Sequence, residues 1–182
     1  MNGKKIALLG FLVEMLVCVA NVLFGFLSLI LGGIHLPSLF STLLTLAPLA
    51  AYALIALGFV MMGFSGSLVD LALGGVFGLK ALRELLGGVP LGNFVPQIVW
   101  VFLFALPFFL VALRTLRYQK LLAVLTGGFG LFYFLWSSGG ASFLFRLLGT
   151  RTVVVFVINL LSSGIWFVGM ALCFLCLKNA DE

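Results

Sequence analysis

The sequence predicts an all-α fold: a polytopic bundle of transmembrane helices that forms a single domain over residues 1–182. Its residues are 64% hydrophobic and 8% charged, whereas a soluble domain carries about 25% charged residues. So few polar side chains do not cover a water-facing surface. In lipid, backbone groups pair only within helices or closed barrels. The apolar runs are long and lack the two-residue alternation of barrel strands, which favours helices.

Short segments rich in glycine, proline or basic residues separate the apolar runs. A helix that spans about 30 Å of hydrocarbon needs about 20 apolar residues, and most runs have roughly that length. "GGIHLP" (32–37), "GFSGS" (63–67) and "RTLRYQK" (114–120) end three of them, and "SSGGAS" (137–142) predicts a hinge-like break. The predicted helices cover residues 6–31, 38–62, 67–88, 94–113, 121–136 and 152–177.

Segment 67–88 is the element whose course the sequence leaves open. Ser67 and Asp70 fit a capping box at its start, and glycines followed by Pro90 end it. Four charged side chains lie within about 140° of arc at ~100° per residue: Asp70, Lys80, Arg83 and Glu84. Such an amphipathic helix either lies flat at the interface, which gives five crossings, or crosses with its charged stripe turned inward, which gives six.

The distribution of basic residues favours six crossings with both termini inside, because cytoplasmic loops carry an excess of Lys and Arg. The inside set is then Lys4, Lys5, Arg114, Arg117, Lys120 and Lys178, against Arg146 and Arg151 outside. If segment 67–88 lies flat instead, the basic residues divide more evenly between the two sides of the membrane. Gly74 and Gly78, four residues apart, also favour crossing because they let a neighbouring helix approach closely. The cost of inserting four charges, several kcal/mol, argues against it.

A polar stripe interrupts the first apolar run, "FLVEMLVCVAN" (11–21). Glu14, Cys18 and Asn21 share one face of the predicted helix, and Glu14 lies about 12 Å along it from Ile6. A charged side chain in a bilayer usually faces the bundle interior, a partner or water. Glu14 is therefore either a site for a proton, a cation or a cationic substrate, or a hydrogen-bonding contact between helices. Its best candidate partner is the charged helix 67–88.

The remaining polar groups in the apolar runs add one more candidate. Asn159, Ser162 and Ser163 cluster on the last helix, where such residues commonly hydrogen-bond between helices. The tryptophans, including Trp166, are expected to be interface or core aromatics. The candidate substrate- or ion-binding residues are Glu14, Asn21, Asp70, Lys80, Arg83, Glu84 and Asn159.

Enzyme signatures are weak, and the sequence predicts no enzyme, no cofactor and no metal site. His35 is the single histidine, and no set of ligands clusters as a metal site requires. Cys173 and Cys176 lie in an apolar run, where cysteine acts as a small hydrophobe. The net charge of +5 does not predict a nucleic-acid partner, because the basic residues lie at the ends of apolar runs.

These observations predict a small integral membrane transporter, or the membrane-embedded substrate-binding subunit of a transporter, that moves a small solute or ion near Glu14. The alternative is a non-catalytic structural or assembly subunit of a membrane complex. The expected partners are the lipid bilayer, an unidentified small solute or ion and, for a transporter subunit or an assembly subunit, further membrane subunits. Small size and short loops predict the bacterial inner membrane, with both termini cytoplasmic.

Overall fold

The computed structural model describes residues 2–30, 38–86, 97–149 and 152–181, and within these ranges the chain is helical between short turns, without strands. The helices are α1 (Gly3–Ile30), α2 (Ser38–Gly63), α3 (Leu68–Leu85), α4 (Gln97–Thr115), α5 (Lys120–Leu135), α6 (Ala141–Leu148) and α7 (Thr152–Lys178). Five stretches are long and apolar enough to cross a membrane: Gly3–Leu27, Leu46–Gly63, Ile98–Thr115, Lys120–Leu148 and Val153–Lys178.

Each predicted range overlaps an observed helix, but described ends differ by up to three residues, as at α1, which begins at Gly3 rather than at residue 6. The α6 helix has no predicted counterpart, and the predicted ends at 31, 87–88 and 94–96 lie outside the described residues. The hinge-like break predicted at 137–142 is wrong. The chain stays helical there through a π-helical turn, Trp136–Gly140, in which the Ala141 N–H donates to the Trp136 carbonyl. A widened turn keeps the backbone hydrogen-bonded, which a break in apolar surroundings would not.

The start of α1 and the end of α7 lie at one end of the bundle, which we call the terminal face. The Lys4 ammonium donates a hydrogen bond to the Lys178 carbonyl oxygen at 3.0 Å. The end of α4 lies there too, because Arg114 Nε donates to the Asp70 carboxylate at 2.7 Å, close to the start of α3. A Cβ atom on Gly3 would lie 3.2 Å from Met62 Cγ, so α2 ends at this face as well. The chain therefore turns back into the bundle after α2.

The α3 helix provides this return path, antiparallel to α2. Its Phe77 ring stacks on Phe59 with centroids 6.2 Å apart, and further along the Lys80 ammonium lies 5.6 Å from the centre of the Tyr52 ring. The predicted cap is present, since Asp70 N–H donates to Ser67 Oγ at 3.2 Å. The α3 helix therefore packs inside the bundle along α2, and its charged side chains at 70 and 80 are buried.

One glycine allows this close packing. A Cβ atom on Gly74 would lie 2.6 Å from Val60 Cγ2 and 3.2 Å from the Ala56 carbonyl oxygen. The second glycine of the predicted pair, Gly78, has open space at its Cβ position, as does Gly75. The close approach of α2 and α3 therefore depends on Gly74 rather than on the pair.

We expect Gly74→Ala to lower the free energy of unfolding by about 1–3 kcal/mol, because the added methyl group overpacks the contact between α2 and α3. Gly75→Ala is the matched control. Alanine is the better helix former by roughly 0.5–1 kcal/mol, so this variant should be as stable as the parent or more stable. Thermal unfolding of the detergent-purified variants measures both, and equal effects at the two positions would contradict the packing.

Candidate functional site

The carboxylate of Glu14 lies near the middle of the bundle, where it is 3% exposed. Its Oε1 accepts two hydrogen bonds, from the Tyr52 hydroxyl at 2.7 Å and from Trp166 Nε1 at 2.8 Å. Its Oε2 is buried and has no hydrogen-bond partner among the residues that the structure describes. One oxygen is therefore held by α2 and α7, and the other is an acceptor without a donor.

The ammonium of Lys80 lies beside this carboxylate in a cage of aromatic rings. The distances from Nζ to the ring centres are 4.0 Å for Trp166, 4.7 Å for Phe104, 5.2 Å for Phe77 and 5.6 Å for Tyr52. Within the described ranges Nζ has no hydrogen-bond partner. Electron-rich ring faces attract a cation most strongly where water is absent, so the rings replace part of its hydration.

Tyr52 and Trp166 connect the two groups. Each donates a hydrogen bond to Glu14 and presents its ring to Lys80. The acid and the base are thus neighbours that share two side chains, although no hydrogen bond between them occurs in the described part of the chain. Among the described residues, Glu14 Oε2 and Lys80 Nζ each have no hydrogen-bond partner. A buried polar atom of this kind costs free energy unless a ligand or a water molecule forms a hydrogen bond with it.

A groove of about 340 Å³ opens onto the carboxylate. It is lined by residues of five helices, α1, α2, α3, α4 and α7: Glu14, Val17, Cys18, Asn21, Pro48, Tyr52, Arg83, Glu84, Phe104, Ser162, Ser163 and Trp166. The Arg83 guanidinium lies 4.8 Å from the centre of the Phe104 ring and 5.3 Å from that of Trp100. The groove thus combines two carboxylates, a guanidinium and hydroxyl groups with aromatic walls.

The structure brings most of the predicted site residues together. Glu14, Asn21, Arg83 and Glu84 line the groove, and Lys80 lies against the rings of its wall. Asp70 lies elsewhere, at the terminal face, where it pairs with Arg114 and lines a separate cavity of about 530 Å³. Asn159 is exposed and outside the groove lining, whereas Ser162 and Ser163 of the same cluster line it.

The direct partners of Glu14 differ from the sequence prediction. The charged helix 67–88 does bring Lys80 beside Glu14, as the sequence predicts, but the hydrogen-bond donors to the carboxylate are Tyr52 on α2 and Trp166 on α7. Tyr52 could have been noticed as a hydroxyl group within an otherwise apolar span. Nothing in the sequence places Trp166 beside Glu14, since the two lie 152 positions apart.

The predicted stripe on α1 is confirmed as a geometric feature, because Glu14, Cys18 and Asn21 all line the groove. Cys173 and Cys176 are free and buried, as expected of cysteines that pack as small hydrophobes. Cys176 Sγ lies 3.2 Å from Thr126 Oγ1, a contact between α5 and α7 away from the groove.

In comparisons with known proteins, no family model, no curated protein and no solved structure matches this chain.

We expect Tyr52→Phe to lower the free energy of unfolding by about 1–3 kcal/mol, because the buried carboxylate loses a donor. The loss should be smaller in a Glu14→Gln background, so a double-mutant cycle should show a coupling of at least roughly 0.5 kcal/mol. Thermal unfolding of the parent, the two single variants and the double variant measures this coupling. Tyr118→Phe serves as the control, since Tyr118 is exposed at the terminal face. Strict additivity of the two changes would contradict the hydrogen bond.

Proposed function

We propose that this chain is an integral membrane protein with six crossings that binds and moves a small solute or ion through the groove at Glu14. It acts alone or as the substrate-binding subunit of a larger transporter, and it is not an enzyme. The observation that carries the proposal is the Glu14 carboxylate, which is buried, faces an open groove and has one oxygen without a partner in the described residues.

The outer surface of the bundle supports a membrane setting. Large apolar side chains project outward along the helices, among them Leu16 at 68%, Val124 at 66% and Leu121 at 77% exposure. Soluble monomers rarely expose apolar patches of this extent, whereas lipid is their natural solvent. The buried polar groups then face the interior, as intramembrane charges do in transport sites.

The position of the chain ends supports the sixth crossing. Five long apolar stretches alone would place the termini on opposite sides, yet the two ends meet at the terminal face. The α3 helix supplies the additional passage alongside α2. Two charges in its second half do not face lipid, because Lys80 is caged by rings and Arg83 lies over Trp100 and Phe104.

The charge distribution supports a cytoplasmic terminal face, and the small size and short loops favour a bacterial inner membrane. Six basic residues belong to helix ends or turns at that face: Lys4, Lys5, Arg114, Arg117, Lys120 and Lys178. At the opposite end the described residues include Arg146 on α6. This asymmetry has the sign that the positive-inside rule requires.

Single cysteines test the number of crossings. Ser65→Cys, in the turn before α3, should react with a membrane-impermeant maleimide only in inverted vesicles, and Leu148→Cys, at the end of α6, only from the outside of intact cells. The native cysteines are buried, which keeps the background low. If α3 lay flat, only α4 and α5 would cross between the two labelled positions, so both positions would lie on the same side of the membrane. Labelling of both positions from the same side would therefore contradict six crossings.

Binding tests the proposed role. A small solute that binds the native state should raise the thermal stability of the purified protein, and Glu14→Gln should remove that increase. A broad panel of ions, amines, acids and neutral solutes is the probe. Tyr118→Phe, far from the groove, should keep the response. If no solute shifts the unfolding temperature and the protein instead co-purifies with a fixed membrane partner, the chain is an assembly subunit and the proposal fails.

A further inference from the structure

We infer that the groove binds a small zwitterion, a solute with an ammonium group at one end and a carboxylate at the other. Glu14 would bind the ammonium group and Arg83 the carboxylate. This inference rests on the proposed function and names the chemical class of the solute.

The Glu14 end of the groove requires a hydrogen-bond donor. Oε1 is already held by Tyr52 and Trp166, so its two donors cannot serve Oε2 at the same time. Oε2 is buried, and no described residue donates to it. An ammonium group supplies several N–H donors, and a charge-assisted bond to a carboxylate is roughly twice as strong as a neutral one. Hydroxyl groups of Ser162 and Ser163 in the same lining can orient the ligand.

The Arg83 end offers the complementary group. The guanidinium lies over the rings of Phe104 and Trp100, and no described carboxylate forms an ion pair with it. Stacking on rings leaves the edge of the guanidinium free, and this edge carries the N–H donors that match a carboxylate. Asp70 is not available to Arg83, since it pairs with Arg114 at the terminal face.

The two ends are close enough for a small solute. Phe104 lies under both Arg83 and Lys80, and Trp166 contacts Lys80 and donates to Glu14. Arg83 and Glu14 are therefore linked through two adjacent rings. The groove volume of about 340 Å³ is at the lower end of the range for small-molecule sites, roughly 300–1,000 Å³.

The charge balance selects against solutes with a single sign. Two carboxylates, Glu14 and Glu84, face two cations, Lys80 and Arg83, in and beside the groove. The neighbouring Cys18 thiol and Tyr52 hydroxyl complete the titratable groups of the described walls. A solute with only a negative charge would be repelled by the two carboxylates, and a solute with only a positive charge would be repelled by Lys80 and Arg83. A zwitterion places each of its charges against an opposite one and adds no net charge.

The first experiment measures thermal stability and equilibrium binding of the full-length protein in detergent. The probes are the free α-amino acids, β-alanine and γ-aminobutyrate, which vary the distance between the two charges. For the tightest probe, the methyl ester removes the anion and the N-acetyl derivative removes the cation. We expect the zwitterion to bind about 10- to 100-fold more tightly than either derivative, because each loses one charge-assisted contact.

Two variants assign the ends. Glu14→Gln should lower the affinity for the zwitterion to about that of the parent protein for the N-acetyl derivative. Arg83→Gln should lower the affinity for the zwitterion to about that of the parent protein for the methyl ester. Arg146→Gln, which removes an exposed cation outside the groove, should leave both affinities unchanged. The comparison of probes on the parent protein needs no variant, so a variant that fails to fold does not remove the test.

Three outcomes overturn the inference: no zwitterion binds, the ester binds as tightly as the parent zwitterion, or Arg83→Gln leaves the affinity unchanged. In each case the proposed function is decided separately by the broad solute panel. If a simple cation binds and its binding depends on Glu14 but not on Arg83, the zwitterion inference is wrong and the proposed transport site at Glu14 stands. A protein that binds no solute at all would contradict both.

Discussion

A carboxylate that is 3% exposed inside an apolar bundle needs hydrogen bonds from side chains, because burial removes most of its hydration and the helical backbone has no free donors. This constraint on Glu14 brings α1, α2 and α7 together at one depth. Small residues make the approach of α1 and α2 possible in the part of α1 that precedes Glu14. A Cβ atom on Gly10 would lie 2.8 Å from the Ala51 carbonyl oxygen, and one on Gly58 would lie 2.5 Å from the Ala7 nitrogen.

The same aromatic residues that satisfy Glu14 also accommodate Lys80. The Phe59, Phe77 and Tyr52 rings follow one another between α2 and α3, and Phe77 and Tyr52 face the ammonium. Hydrophobic packing and electrostatics therefore act through one set of side chains. A change in the position of any ring would alter both the packing between helices and the environment of the charges, which ties the groove to the stability of the bundle.

The charged side chains of α3 divide into two groups with different surroundings. At the start of the helix, Asp70 forms an ion pair with Arg114 that joins α3 to α4 at the terminal face. Further along, Arg83 and Glu84 line the groove, and neither forms an ion pair with a described residue. A satisfied pair suits a structural role, whereas unpaired groups beside an open groove suit a ligand. The charged stripe on one helical face thus has two kinds of surroundings.

The sequence by itself determined the all-helical class and the approximate ranges of the longer helices, because long apolar runs in this composition have no other way to pair their backbone groups. It also determined that Glu14, Cys18 and Asn21 share a face, since helical periodicity is local. It did not determine that "SSGGAS" stays helical, because a π-helical turn and a break have the same composition. Only the tertiary structure decided that α3 runs along α2, that Tyr52 and Trp166 hold Glu14, and that Asp70 leaves the groove for Arg114. These contacts join residues 38 to 152 positions apart, and such pairings depend on how helix faces pack, which no local pattern encodes.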